Sequence, residues 1–263
     1  MKKTILATLF CTTLLLGANI KSFAWGKTGH EIVAQVAFRF LDDSTQKIVK
    51  QYLGKVSIEE ASVWMDEEKS NSYYNYMRSW HYVDFERGEK YIPSQERNAL
   101  TVLHSAITEL KNYKTNGLSK KDIKYRLLLI FHIVGDIHQP LHTGYGSDRG
   151  GNSISVSSCC VSGNLHSVWD GQILDYKKIT LDTCLQYYTT FSSEQIAGFK
   201  KINELKWIYE SRTYLDAIYD FKNNYLDKDY IDRNADIVKK GLVVGGIRLG
   251  SILDYLFNPK NNS

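Results

Sequence analysis

Only three prolines, Pro93, Pro140 and Pro259, interrupt the 263-residue sequence, and this scarcity constrains the fold more than any other feature. Proline locks φ and lacks a backbone N–H, so long proline-free stretches are open to helix formation. Within residues 28–53, Ile32, Val33, Val36, Ala37, Phe40 and Leu41 recur at helical spacing. Residues 99–113 repeat the pattern with Leu100, Leu103, Ala106, Ile107 and Leu110. Residues 124–137 are apolar nearly all round, which predicts a buried central helix that Pro140 kinks or ends. Residues 205–223 and 232–257 complete the series, and Arg248 and Asp254 argue against the last being a membrane span. Strand-like alternation is scarce, with Ser153-Ile-Ser-Val-Ser157 the best candidate, beside a glycine-rich loop over 144–151 that carries Asp148 and Arg149. The expected fold class is all-α: one mostly helical domain over residues 25–263, with a small β-like region around 150–160.

Residues 1–24 read as a separate object. Lys2 and Lys3 give a basic start, residues 5–16 an apolar run, and Ser22-Phe23-Ala24 a small-x-small exit. This three-part pattern predicts a secretory signal peptide cleaved after Ala24, and the apolar run is short for a membrane anchor. The remaining 239 residues suffice for one sizeable core. Loss of Lys2, Lys3 and Lys21 lowers the formal charge from +4 to +1. A nearly neutral protein is not a bulk polyanion binder, so any affinity for nucleic acid must come from a local site. Cys11 leaves with the leader, and Cys159, Cys160 and Cys184 remain. A bridge from Cys184 to Cys159 or Cys160 is expected in an oxidising compartment, leaving one thiol over. No Cys-x-x-Cys spacing occurs, so a metal must be held by nitrogen and oxygen.

The seven histidines are His30, His81, His104, His132, His138, His142 and His166. His132 and Asp136 lie four apart in the apolar helix and project from one face; His166 and Asp170 repeat the interval. His138 and His142 are also four apart, flanking Pro140. Zinc takes imidazole nitrogen and carboxylate oxygen, and such pairs offer two ligands on rigid backbone. A single His/Asp pair is more often a satisfied hydrogen bond, but two on apolar helices are harder to dismiss, since buried ionisable groups are costly unless paired or metal-bound. Asp66 in Ser62-Val-Trp-Met-Asp66 reads alone as part of an acidic helix face with Glu67 and Glu68, and His81 alone is as readily packed as ligated.

The motifs Trp25-Gly-x-x-Gly-His30, Ser62-Val-Trp-x-Asp66, His81-Tyr-x-Asp84, Phe131-His-x-x-Gly-Asp-x-His-Gln-Pro-Leu-His142, Gly150-Gly-Asn152 and Asn164-Leu-His-x-x-Trp-Asp170 occur in that order, with Gly245-Gly-Ile-Arg-Leu249 behind them. Together they resemble the zinc-dependent single-strand nucleases and 3′-nucleotidases of fungi, plants and bacteria. The resemblance runs from Trp25 almost to the C-terminus. It implies an all-helical fold with three zinc ions. The first would take Asp66, His81, His132 and Asp136. The second would take His142, His166 and Asp170. The third would take His30, a bridging Asp136, and the α-amino nitrogen and carbonyl oxygen of Trp25, an amine that only cleavage after Ala24 frees.

By the same resemblance, water activated between the first and third zincs attacks phosphorus, and the second zinc stabilises the departing 3′-oxygen, leaving a 5′-phosphate. Lys69 would steady charge on the non-bridging oxygens; alone it also reads as a solvated lysine beside Glu67 and Glu68. Tyr82 would stack on a base, Asp84 would accept hydrogen bonds from the base edge, and Asn152 would hydrogen-bond near the metals. His138 is either an orienting or a simply packed histidine, and His104 reads as a core residue. The substrates implied are single-stranded nucleic acid and 3′-nucleotides, acted on by a secreted or periplasmic monomer with no membrane partner. The main rival is a zinc-dependent phospholipase C of the same fold, which places Glu where this chain has Asp170. A non-catalytic zinc-binding protein is the third reading.

Overall fold

The computed structural model describes residues 25–158 and 160–261; the expected leader and Cys159 lie outside the described residues. The helices are α1 (Lys27–Phe40), α2 (Asp43–Leu53), α3 (Ile58–Glu67), α4 (Ala99–Lys111), α5 (Lys120–Asp136), α6 (Leu165–Ser167), α7 (Ile173–Tyr176), α8 (Leu181–Tyr188), α9 (Ser193–Phe199), α10 (Glu204–Arg212), α11 (Leu215–Ile218) and α12 (Lys228–Phe257). Shorter 3-10 segments cover Glu68–Ser70, Ser72–His81, Pro140–Thr143 and Gly146–Asp148. A single two-stranded antiparallel sheet joins β1 (Ser155–Ser157) to β2 (Ser162–Asn164), with Val156 opposite Gly163. The all-α expectation and the small β region therefore hold among the described residues.

The apolar helix over 124–137 is the spine of the core. As α5 it buries every residue from Leu127 to Asp136, packing against α3 on one side and α4 on another. Pro140 ends it, because the residue before a proline is driven to extended backbone; Gln139 sits at φ −93°, ψ 111°. The thirty residues of α12 span about 45 Å and lie along α1, α5 and α8. Burial of Arg248 within α12 is compensated: its guanidinium donates to His138 Nε2 at 2.9 Å and pairs with Glu210. No described helix is long and apolar enough to cross a membrane.

Several expectations are corrected. The helical spacing over 28–53 belongs to two helices, because the chain turns at Leu41–Asp42 and α2 restarts from Asp42. Residues 205–223 divide into α10 and α11, so that Leu215 and Ile218 reach the core after a turn at Thr213 and Tyr214. His104 is not a core residue. The buried positions of α4 are 99, 100, 102, 103, 106, 107 and 110, and His104 falls on the opposite face, 3.3 Å from Glu204. Cys184 is a fully buried free thiol among the described residues, its pKa pushed up to about 12 by burial, so the expected bridge to Cys160 is not formed; the alternative partner, Cys159, lies outside the described residues.

A candidate metal centre at the floor of a basic cleft

Seven separate elements deliver the histidines and carboxylates singled out above to one place. His30 comes from the first turn of α1 and Asp66 from the last turn of α3, whose start is set by a capping box between Ser57 and Glu60. His81 ends the 3-10 helix of Ser72–His81, His132 and Asp136 end α5, and His142 lies in the turn after Pro140. His166 sits in α6, and Asp170 in the π-helical turn that follows it. All eight are buried. Wider π turns are rare and recur at functional sites; this one also lets the Asp170 carbonyl accept from Gly26 N–H at 2.6 Å, fastening the Trp25-Gly26 segment beside the centre.

Asp136 is the hub. Its Oδ1 lies 3.2 Å from His30 Nε2, and its Oδ2 lies 3.1 Å from His81 Nδ1 and 3.3 Å from His132 Nε2. Asp66 Oδ1 approaches His81 and His132 at 3.8 and 3.7 Å. The His30 and His132 rings stack at 4.1 Å. That approach is possible only because residue 135 is glycine: a Cβ there would sit 2.5 Å from His30 Nδ1. His30, Asp66, His81, His132 and Asp136 thus form one continuous cluster, and His142, His166 and Asp170 form another.

Hydrogen bonding shows what these clusters can hold. His142 Nδ1 donates to the His81 carbonyl at 2.7 Å, and His166 Nδ1 donates to the Gly150 carbonyl at 2.6 Å. Both Nε2 atoms are then left with lone pairs, yet they face each other at 3.0 Å, with Asp170 Oδ1 at 3.7 and 3.5 Å. Two lone pairs at that distance repel unless a proton or a cation lies between them. Burial opposes charge on His142, but Asp136 and Asp170 outweigh it and push its pKa up to about 9. His132 is oriented likewise, with Nδ1 donating to the Ser62 carbonyl at 2.7 Å and Nε2 turned to the cluster. Both ring nitrogens of His30 and Oδ1 of Asp136 are buried without a hydrogen bond. Convergent imidazole lone pairs, carboxylates and orphaned buried atoms fit a hard or borderline divalent cation such as zinc.

His138 resolves the alternative left open for it. Its Nδ1 donates to the Val134 carbonyl at 2.6 Å and its Nε2 accepts from Arg248, while burial and that guanidinium lower its pKa to about 3. It is a neutral packed histidine.

Above the clusters opens a cleft of about 550 Å³ lined by Lys69, Tyr82, Asp84 and Asn152 together with His81, His142 and His166. Arg78 and Arg149 also line it; from the sequence Arg149 stood out only as part of the glycine-rich loop and Arg78 not at all, since isolated arginines carry no distinguishing signal. Lys69 Nζ is 2.5 Å from Asp66 Oδ1. Tyr82 is 43% exposed, so one ring face is open to a ligand. Asp84 is nearly buried, with Oδ1 free of hydrogen bonds; burial, partly offset by His142 and Arg212, raises its pKa to about 7. Asn152 donates to the Arg149 carbonyl at 2.9 Å.

Arg212, unforeseen, ties the walls together. Its guanidinium donates to the carbonyls of Thr143, Gly144, Phe85 and Glu86 and stacks 3.5 Å from the Phe85 ring centroid. Gly150 closes the other wall, at φ +59° with a virtual Cβ 2.2 Å from the Leu141 carbonyl oxygen. Gly150→Ala is expected to destabilise the protein by about 2–5 kcal/mol, combining left-handed strain with overpacking. Denaturant midpoints at constant slope measure it, and a loss under 1 kcal/mol contradicts this geometry.

Residues 25–258 match the family model described as S1/P1 Nuclease. Endonuclease 2 of Arabidopsis thaliana is 28% identical over 281 residues, covering 95% of this chain and 96% of its own length. Nuclease S1 of Aspergillus oryzae is 25% identical, covering 89% and 92%. Nuclease P1 of Penicillium citrinum is 30% identical over 159 residues, 56% of this chain and 57% of its own.

Proposed function

The chain belongs to the S1/P1 nuclease family of phosphodiester-hydrolysing enzymes, and from that premise we propose that it is a secreted or periplasmic, trinuclear-zinc endonuclease. Its substrates are single-stranded DNA or RNA, cut to 5′-phosphate products, with 3′-nucleotidase activity alongside. The observation that carries this reading is the convergence of eight buried imidazoles and carboxylates at the floor of a cleft whose walls hold an open tyrosine face and three cations. The leader pattern of residues 1–24 supports export.

Asp66, His81, His132 and Asp136 would hold one zinc; His142, His166 and Asp170 would hold the second; His30, Asp136 and the Trp25 amine and carbonyl would hold the third. When bound, such ions lower the pKa of coordinated water and offset charge on phosphate oxygens. The chain's own contribution is orientation and electrostatics. The carbonyls of Ser62, His81 and Gly150 lock three imidazoles in the ligating tautomer. Gln139 Nε2 holds Asp170 Oδ1 at 2.7 Å. Lys69, Arg78 and Arg149 supply positive charge for the scissile and neighbouring phosphates. Tyr82 stacks on a base and Asp84 meets its edge, positions a base can occupy only outside a duplex stack.

Parallel assays on single-stranded DNA, the same sequence as a duplex, and phosphatidylcholine test the reading. Cleavage of the single strand at least about tenfold faster than the duplex is expected, given stacking worth about 1–3 kcal/mol per base. Hydrolysis of the lipid alone would return the phospholipase reading, which Asp170 in place of glutamate argues against. N-terminal sequencing of exported protein should begin at Trp25.

A further inference from the structure

The 3-10 helix of Ser72–His81 runs for ten residues, where runs beyond three or four are uncommon. Three residues per turn sort its sequence into rows. Met77 and Trp80 are buried and Tyr74 is half-buried, while Tyr73 and Tyr76 occupy an outward row. Ser72, Asn75 and Arg78 form the third row, which ends on His81 at the centre. Tyr73 is 74% exposed and Tyr76 49%, and Tyr82 follows directly after the helix.

These rings are held rigidly rather than left loose. Tyr73 packs edge-on to Tyr74 at 4.9 Å, and Tyr76 to Trp80 at 5.1 Å. Tyr76 and Tyr125 share a hydroxyl hydrogen bond at 3.1 Å, and Trp64 buttresses Tyr74 and Tyr125 from beneath. Arg97 stacks over Trp80 at 4.9 Å, and Arg78 reaches into the cleft. At about 2.0 Å rise per residue, successive outward tyrosines stand roughly 6 Å apart, one position for each base.

We propose that this helix is a second binding track for single-stranded nucleic acid, taking the part of the strand that extends beyond the cleft. Bases stack on Tyr76 and then Tyr73, and the arginines Arg78 and Arg97 face the phosphates at the end nearest the metal centre. Glu68 lies at the Tyr73 end, where it accepts from Asn71 Nδ2 at 2.9 Å, so that end binds by stacking and not by charge. Stacking is tolerant of base identity, and every base has a face to offer once unpaired. The track therefore favours long single strands over dinucleotides without adding sequence preference. The inference rests on the nuclease reading and deepens it.

The test is the double variant Tyr73→Ala/Tyr76→Ala in the metal-loaded enzyme. Its KM for an oligonucleotide of roughly ten residues should rise about tenfold or more with kcat unchanged, while KM for a dinucleotide stays at the wild-type value. Tyr76→Trp should restore the lower KM, which a merely structural role of the hydroxyl bond would not. An unchanged oligonucleotide KM, or equal shifts on both substrates, overturns the track. Fluorescence anisotropy with a phosphorothioate oligonucleotide separates the two readings. If the wild type cuts no single strand, the nuclease proposal fails, yet tighter binding by wild type than by the double variant still supports the track, and equal binding overturns it.

Discussion

Asp136→Asn is expected to lower turnover on single-stranded DNA by about 10³-fold, the scale seen when a central electrostatic group of a site is lost. Asp136 lies within 3.3 Å of three histidines on three different elements, closer to more ligand candidates than any other carboxylate of the centre. Burial alone would raise its pKa, but His132 and His142 reverse that and hold it well below the usual carboxylate range. It is therefore ionised at any working pH, and asparagine keeps the shape while removing the charge. Steady-state kinetics with metal analysis on the same preparation check this. Full metal content together with more than a tenth of the wild-type rate would show that Asp136 is not a shared ligand.

Chelation should abolish activity and lower the thermal midpoint by about 10 °C. A ligand present at a thousandfold above its dissociation constant stabilises by about 4 kcal/mol, and each 1 kcal/mol shifts a protein of this size by about 2–4 °C. Uptake of zinc by the chelated protein should also release protons. The Nε2 atoms of His142 and His166, 3.0 Å apart, need a shared proton when no cation is there. With its pKa raised to about 9, His142 carries that proton at pH 7, and a metal must displace it. Apparent zinc affinity at this pair should thus rise with pH up to about 9 and then level off. Calorimetry in two buffers of different ionisation enthalpy measures the release; identical heats in both would mean that the His142–His166 contact holds no proton.

Much of the centre was legible in the chain because its candidate ligands come in short, spaced strings. His132 with Asp136, and His166 with Asp170, are i,i+4 pairs that one helical turn brings to one face, and the structure does place them together. The start of α3, which carries Asp66, was not read from the sequence, although Ser57-x-x-Glu60 is a capping-box pattern and both its hydrogen bonds form. His104 shows the limit. Among mostly apolar neighbours it reads as core, but its position on α4 points it away from the apolar stripe. Arg212 shows a deeper one, since the four carbonyls it reaches are more than sixty residues distant and nothing about an arginine in a helix announces them. The 3-10 helix of Ser72–His81 was equally hidden, because a period of three over ten residues differs little from the α-helical period when the residues are mostly aromatic.

The amino-acid sequence by itself determined the helical class, the central apolar helix with its stop at Pro140, and the two i,i+4 His/Asp pairs suited to a divalent cation, because those depend on local conformational preference and on side-chain chemistry; Asp66 and His81 joined them only through the family resemblance. Tertiary structure alone decided which nitrogen of each imidazole faces the centre, which carboxylate serves as hub, and which cations line the cleft. Those outcomes depend on carbonyls and ring faces contributed by elements far apart in the chain, and only packing brings them within hydrogen-bonding distance.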